Sequence, residues 1–291
     1  MSKRLVFVHG RSQEGKDQAT LKEQWIDAWQ SGLEKSGLRM PIAPSDIVFP
    51  YYGDVLYDLT NPKEDVDVIL KGANGNQNQM DFERDMLEEL CAAAVTDEEV
   101  AREMNAPTIE KGFRDWGWLR AALRLLDVTP GVSGLTLSQV TRDVYSYLCN
   151  PGVRDSIDDI VKREIRNGEE FVLVGHSLGT VVTYNLLRSD AEGLGWQVPL
   201  HVTLGSPLAV QRIRQALRPL KRPSLIKSWF NARDKADIVA LRELDSINFP
   251  APEGSIEIEN SSAVDNWTDN HHGIVGYLDD SGVAKRIYDA L

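Results

Sequence analysis

Short apolar runs alternate along the chain with stretches whose apolar residues recur every three to four positions, and their order predicts the architecture. Arg4 to Val8 reads as a strand, and a polar loop from Arg11 to Asp17 follows it. Residues 19–36 place Leu21, Trp25, Ile26, Trp29 and Leu33 on one face, with Gly37 just past the end, which predicts a helix. Residues 47–50 read as a second strand leaving through Tyr51, Tyr52, Gly53 and Asp54, and residues 60–79 turn polar, with a loop by composition at 72–79. Helical spacing then recurs over 80–95, 109–126, 137–148 and 153–166, the first three with no strand between them. From Phe171 onward strand and helix patterns alternate: strands at 171–174, 200–204, 226–231 and 256–258, helices at 180–187, 208–217 and 283–291. Strands separated by helices require a mainly parallel sheet covered on both faces. The expected class is therefore α/β, with about six strands in one domain over residues 1–291. Residues 60–150 exceed what one crossover needs and read as a helical cap inserted over the strand C-terminal ends.

Composition narrows the function classes. A formal net charge of −12 argues against a nucleic-acid partner, which would need Lys and Arg to neutralise phosphates. No apolar stretch approaches the ~20 residues of a membrane span, and Leu5-Val6-Phe7-Val8 is too short for a secretory leader. The two cysteines, Cys91 and Cys149, lie inside helical patterns and read as buried thiols of a reducing compartment, so a cytoplasmic location is expected.

The strongest chemical signal is Gly175-His176-Ser177-Leu178-Gly179, set between an apolar strand and a small-residue helix start. In that context a G-x-S-x-G sequence forms a sharp turn that lifts the serine hydroxyl above the sheet and aims the N–H of the following residue at a reacting carbonyl. Flanking glycines are needed because side chains would collide there. A serine hydroxyl needs a base within hydrogen-bond reach and an acid to orient that base. Of the five histidines, His9 precedes the serine, His176 belongs to the turn and points away from its hydroxyl, and His201 lies in a strand. His271 and His272 lie in a loop after the last strand. Asp234 and Asp237 both lie just past the strand after Gly205-Ser206-Pro207 and qualify as the acid by location.

Val8-His9-Gly10, Gly175 to Gly179, Leu204-Gly205-Ser206-Pro207-Leu208, Asp237-Ile238-Val239 and His271-His272-Gly273 together resemble the α/β-hydrolase superfamily, and more narrowly its lipase/esterase-like members. The resemblance implies the α/β-hydrolase fold and a serine hydrolase acting on a carboxylic ester, thioester or lipid-like small molecule, with no cofactor and no metal. Asp-Ile-Val resembles the family's acid loop, which favours Asp237 and leaves Asp234 as a solvated turn residue. His-Gly-x-x-Gly-Tyr-Leu resembles its C-terminal histidine loop, which favours His272 over His271. By the same resemblance the oxyanion donors are the N–H groups of Leu178 and Arg11, with Gly10 allowing close approach of the backbone. The Arg11 guanidinium is a further candidate for reading a polar substrate group.

Other readings compete. Gly10 to Asp17 nearly spells a phosphate-binding G-x-x-x-x-G-K-[ST] loop, but Asp17 stands where a hydroxyl should hold Mg²⁺ and would repel phosphate. A binding or scaffold protein on the same fold, or an acyltransferase or amidase with the same three residues, also fits. Within the insertion, Phe113, Trp116, Trp118, Leu119, Leu123 and Leu126 cluster with Arg114, Arg120 and Arg124. That cluster reads as a lid presenting an aromatic wall to an acyl group, as a dimer or membrane-surface patch, or as a helix packing onto its own domain with its arginines in solvent, the last being favoured.

Overall fold

A computed structural model describes residues 3–61, 77–105, 116–127, 134–250, 252 and 254–291. Strand β1 (Arg4–Val8) shows how the sheet is buried on both sides. Leu5 and Phe7 enter one apolar layer with Trp25 and Trp29, while Val6 and Val8 enter the other with Leu173 and Val181. Such two-sided burial is what an apolar run without polar alternation encodes in a parallel sheet. The other strands are β2 (Ile47–Val48), β3 (Phe171–His176), β4 (His201–Leu204), β5 (Trp229–Asp234) and β6 (Ile258–Val264). They form one six-stranded sheet in the order β2-β1-β3-β4-β5-β6, every pairing parallel. This is the α/β architecture expected from the chain's alternation of strands and helices.

Helix α1 (Gln18–Glu34) packs on one face, its N-terminus capped by Asp17, whose carboxylate accepts from the Thr20 N–H. Two short C-terminal helices, α10 (Ile274–Leu278) and α11 (Ser281–Tyr288), complete that layer. Opposite lie α2 (Gly53–Thr60), α7 (Pro151–Glu164), α8 (Leu178–Ser189) and α9 (Gln211–Ala216). The same layer takes in four helices from the region expected as an insertion: α3 (Gln77–Ala94), α4 (Asp97–Glu103), α5 (Trp116–Asp127) and α6 (Gly134–Cys149).

These helices touch α9 and the loop that leaves β5. From α3, Asp85 accepts from Arg212 Nε at 2.8 Å, and Glu89 accepts from the Gln211 N–H at 2.8 Å and from Arg242. In α5, Trp118, Leu119 and Leu126 are buried, the Trp118 indole donates to Asp97 at 2.9 Å, and Arg120 is exposed. The apolar face of this helix is thus spent on its own domain, and only Trp116 stands half exposed. Phe113, Arg114, the start of the helix expected over 109–126 and most of the loop expected over 72–79 lie outside the described residues.

Several expectations are corrected. Cys149 is exposed and only Cys91 is buried, both as free thiols. The last strand runs over Ile258–Val264 rather than 256–258, because an edge strand with solvent on one side carries the polar residues Asn260, Ser261 and Ser262. Strand β5 lies three residues beyond the range expected for it, since Ile226 makes only an isolated bridge to Val198. Among the described residues no helix is long and apolar enough to cross a membrane.

Candidate active site

The β3–α8 turn sets the site. Ser177 adopts φ 53° and ψ −125°, a conformation that costs a non-glycine residue about 1–3 kcal/mol and persists only where its surroundings impose it. The imposing contacts are tight: a Cβ on Gly179 would lie 2.2 Å from the Val8 carbonyl oxygen. The turn holds the Ser177 hydroxyl above the C-terminal end of β3. There it donates to Nε2 of His272 at 2.9 Å. His272 sits on the loop before α10, and its Nδ1–H donates to Asp237 Oδ2 at 2.7 Å. An ionised carboxylate can only accept, so the proton belongs on Nδ1 and the Nε2 lone pair faces the serine hydroxyl.

Asp237 is fully buried, in the loop after β5. Its Oδ1 accepts from the N–H groups of Val239 at 2.9 Å and Ala240 at 3.2 Å. Oδ2 accepts from His272 and from the Tyr277 hydroxyl at 2.6 Å. Burial pushes this carboxyl up, but the His272 imidazole, the Tyr277 hydroxyl and the Val239 N–H outweigh it and hold Asp237 below the usual carboxylate range. Gly205 makes room for the pair: at φ 57° its Cβ would sit 3.1 Å from Asp237 Oδ2 and from two ring atoms of His272.

Two further residues support this arrangement, Tyr277, which the sequence did not single out, and His176 of the turn. Tyr277, on α10, spans the acid loop, donating to Asp237 and accepting from the Asp234 N–H at 3.1 Å. His176 is fully enclosed, and burial together with the nearby His272 pushes it down to about 3, so it is neutral. Its Nε2–H donates to the His272 carbonyl at 2.8 Å, and the two rings lie 4.9 Å apart. The Gly-Tyr-Leu phrase after the paired histidines was the one linear signal for Tyr277.

The alternates lie apart from the serine. His271 donates from Nδ1 to the Asn266 carbonyl at 3.0 Å and stands 3.6 Å from Asp234. Asp234 is buried at the end of β5 and accepts from the N–H groups of Ala236 and Asn266, each at 2.7 Å. It is therefore a loop-bracing carboxylate rather than a solvated charge. The neighbouring Arg233 donates to the carbonyls of Ala240 and Leu241.

The loop after β1 presses against Ser177, since a Cβ on Gly10 would lie 2.9 Å from the serine Cβ and 3.4 Å from Oγ. Leu178 opens α8, so its N–H has no acceptor within the helix. Among the described residues, neither the Leu178 nor the Arg11 N–H donates a hydrogen bond. The Arg11 guanidinium is engaged, donating to Asp143 Oδ2 at 2.7 Å and Gln139 Oε1 at 3.0 Å on α6. Ser177 is only 3% exposed.

The near-phosphate loop is otherwise occupied: the Gly15 N–H donates to Asp54, Lys16 donates to Gln13, and Asp17 caps α1. A cleft of about 920 Å³ between α3 and α9 is lined by Asp85, Glu89, Arg212 and Arg242 and contains none of the candidate groups. Its charges pair with one another, which suits a brace between elements better than a seat for an acyl chain. No protein-family model matches the chain, and a search of curated proteins found no match.

Proposed function

We propose that the chain is a serine hydrolase of the α/β-hydrolase superfamily, lipase/esterase-like, cleaving a carboxylic ester or thioester through an acyl-enzyme. One observation carries the reading: a single imidazole, His272, joins a strained serine hydroxyl to a buried, multiply hydrogen-bonded carboxylate. As the Ser177 oxygen attacks the acyl carbon, its proton passes to His272 Nε2. The imidazolium that forms is stabilised by Asp237, already ionised by its four donors. The carbonyl oxygen gains negative charge in the tetrahedral intermediate, and the unengaged amides of Leu178 and Arg11 are the donors for it. His272 then returns the proton to the leaving alcohol or thiol. Water, deprotonated by the same nitrogen, releases the acid and restores Ser177.

No step calls for a metal or an organic cofactor. The substrate is a small ester or lipid-like molecule, not a nucleic acid, in keeping with the net charge of −12. Two free thiols fit a reducing, cytoplasmic setting. Turnover of a short p-nitrophenyl ester tests the reading. Ser177→Ala and His272→Ala should each reduce it to background, while His271→Ala retains it. Turnover that survives the loss of Ser177 refutes the assignment.

A further inference from the structure

The Gly10–Arg11 peptide is held from three directions. His9 accepts the Tyr52 N–H on Nε2 at 3.1 Å, so its proton sits on Nδ1 and is donated to the Gly10 carbonyl at 2.6 Å. Burial pushes His9 down to about 4 and keeps it neutral in that tautomer. On the other side, the Arg11 carbonyl accepts from Gln13 Nε2 at 2.8 Å. The third hold is the guanidinium, which crosses to α6 and meets Asp143 and Gln139. That ion pair is nearly sealed from solvent, with side chains 14% and 6% exposed, so salt screens it far less than a surface pair. Between Arg11 and Gln13, Ser12 is at φ 59°, a left-handed conformation that a non-glycine residue keeps only when its neighbours over-determine it. The Gly10 and Arg11 carbonyls and the Arg11 guanidinium are thus engaged, while the Arg11 N–H has no acceptor among the described residues.

We infer that Asp143, with Gln139, is a positioning residue: through the Arg11 guanidinium, helix α6 fixes the direction of the Arg11 N–H as an oxyanion donor. The inference rests on the serine-hydrolase reading and deepens it. It makes the inserted helices part of the catalytic frame and removes the Arg11 side chain from substrate recognition. Peptide rotation moves a carbonyl and the next N–H together, so slack in the guanidinium anchor translates directly into a misdirected donor. A donor lost outright costs about 10²–10³ in kcat. One that is loosened but still present should cost about tenfold.

The test is steady-state turnover of p-nitrophenyl acetate by the full chain, with thermal melting of every variant. Arg11→Met alone would strand a buried carboxylate whose Oδ1 already has no partner, so Arg11 is changed only together with Asp143. Asp143→Ala should lower kcat about tenfold with KM within twofold. Asp143→Asn, which keeps an acceptor for the guanidinium, should restore part of that loss. Arg11→Met added to Asp143→Ala should cost nothing more, because the two residues act as one unit. The proposal is overturned if Asp143→Ala keeps kcat within twofold while its melting temperature falls, which is packing alone. A raised KM at unchanged kcat also overturns it, since the guanidinium would then be contacting substrate. Absence of turnover in the wild type above the Ser177→Ala background refutes the parent reading and this inference with it.

Discussion

Tyr277→Phe removes one oxygen from the interior and reports on the whole acid–base pair. The hydroxyl donates at 2.6 Å to Asp237 Oδ2, the oxygen that also receives His272 Nδ1–H. A hydrogen bond to a charged partner contributes about 1.5–3 kcal/mol net. Asp237 keeps three donors in the variant, so the carboxylate is weakened rather than orphaned. The Asp234 N–H also loses its acceptor. A stability loss of about 2 kcal/mol follows, seen as a melting temperature lower by several degrees. The kinetic consequence has a definite sign. With one donor gone, the carboxylate is held less firmly where it meets His272 Nδ1–H, so the imidazole is less well placed to take the Ser177 proton, and kcat/KM for a p-nitrophenyl ester should fall about tenfold. Tenfold is about 1.4 kcal/mol, within what the lost bond supplies. The assay is kcat/KM at one fixed pH, with a melting curve of each protein. Unchanged kcat/KM beside a fallen melting temperature would show that Tyr277 braces the loop without aligning the base.

Gly205→Ala places a Cβ at a positive φ and 3.1 Å from both Asp237 and His272, so kcat should fall at least tenfold, and unchanged turnover would mean that the pair can shift freely. His201 is enclosed in β4, and burial pushes it down to about 3. Its neutral form therefore stabilises the fold above pH 6.5, and that contribution is lost as pH falls toward 3, because the unfolded chain binds the proton first. In urea unfolding between pH 6 and 4, His201→Gln should lower the slope of stability against pH by about 1.4 kcal/mol per unit. An unaltered slope would place a proton on His201 in the folded chain. Asp158, raised to about 6 by burial, has the opposite sign: Asp158→Asn should remove a term that falls as pH rises from 4 to 6, making the net slope steeper.

Legibility in the sequence followed the strength of local patterns. Strands β1 and β3 are apolar runs, and the turn after β3 is fully specified by glycines at 175 and 179, so both could be placed from the chain alone. Helix α4 carried a complete capping box in Thr96 and Glu99, yet seven residues give too little periodicity to stand out. Strand β6 was legible only at its start, because an edge strand need not be apolar. Within the candidate site, Ser177, His272 and Asp237 lie in loops at strand ends, which element order could locate. Their supporting partners follow from tertiary contact. Tyr277 meets Asp237 forty positions away, and Arg11 meets Asp143 across 132. No spacing rule links such residues. Asp234 has the look of a solvated turn residue, but β5 extends through Asp234 and buries it.

The central proposal is that the Ser177 hydroxyl is an activated nucleophile, and covalent labelling tests it most directly. A fluorophosphonate should add once per chain, with peptide mass spectrometry locating the adduct on Ser177. Ser177→Ala should take up no label, and His272→Ala should take it up at least a hundredfold more slowly. An intact, folded chain that leaves Ser177 unmodified, or labels it as fast without His272, would contradict the account.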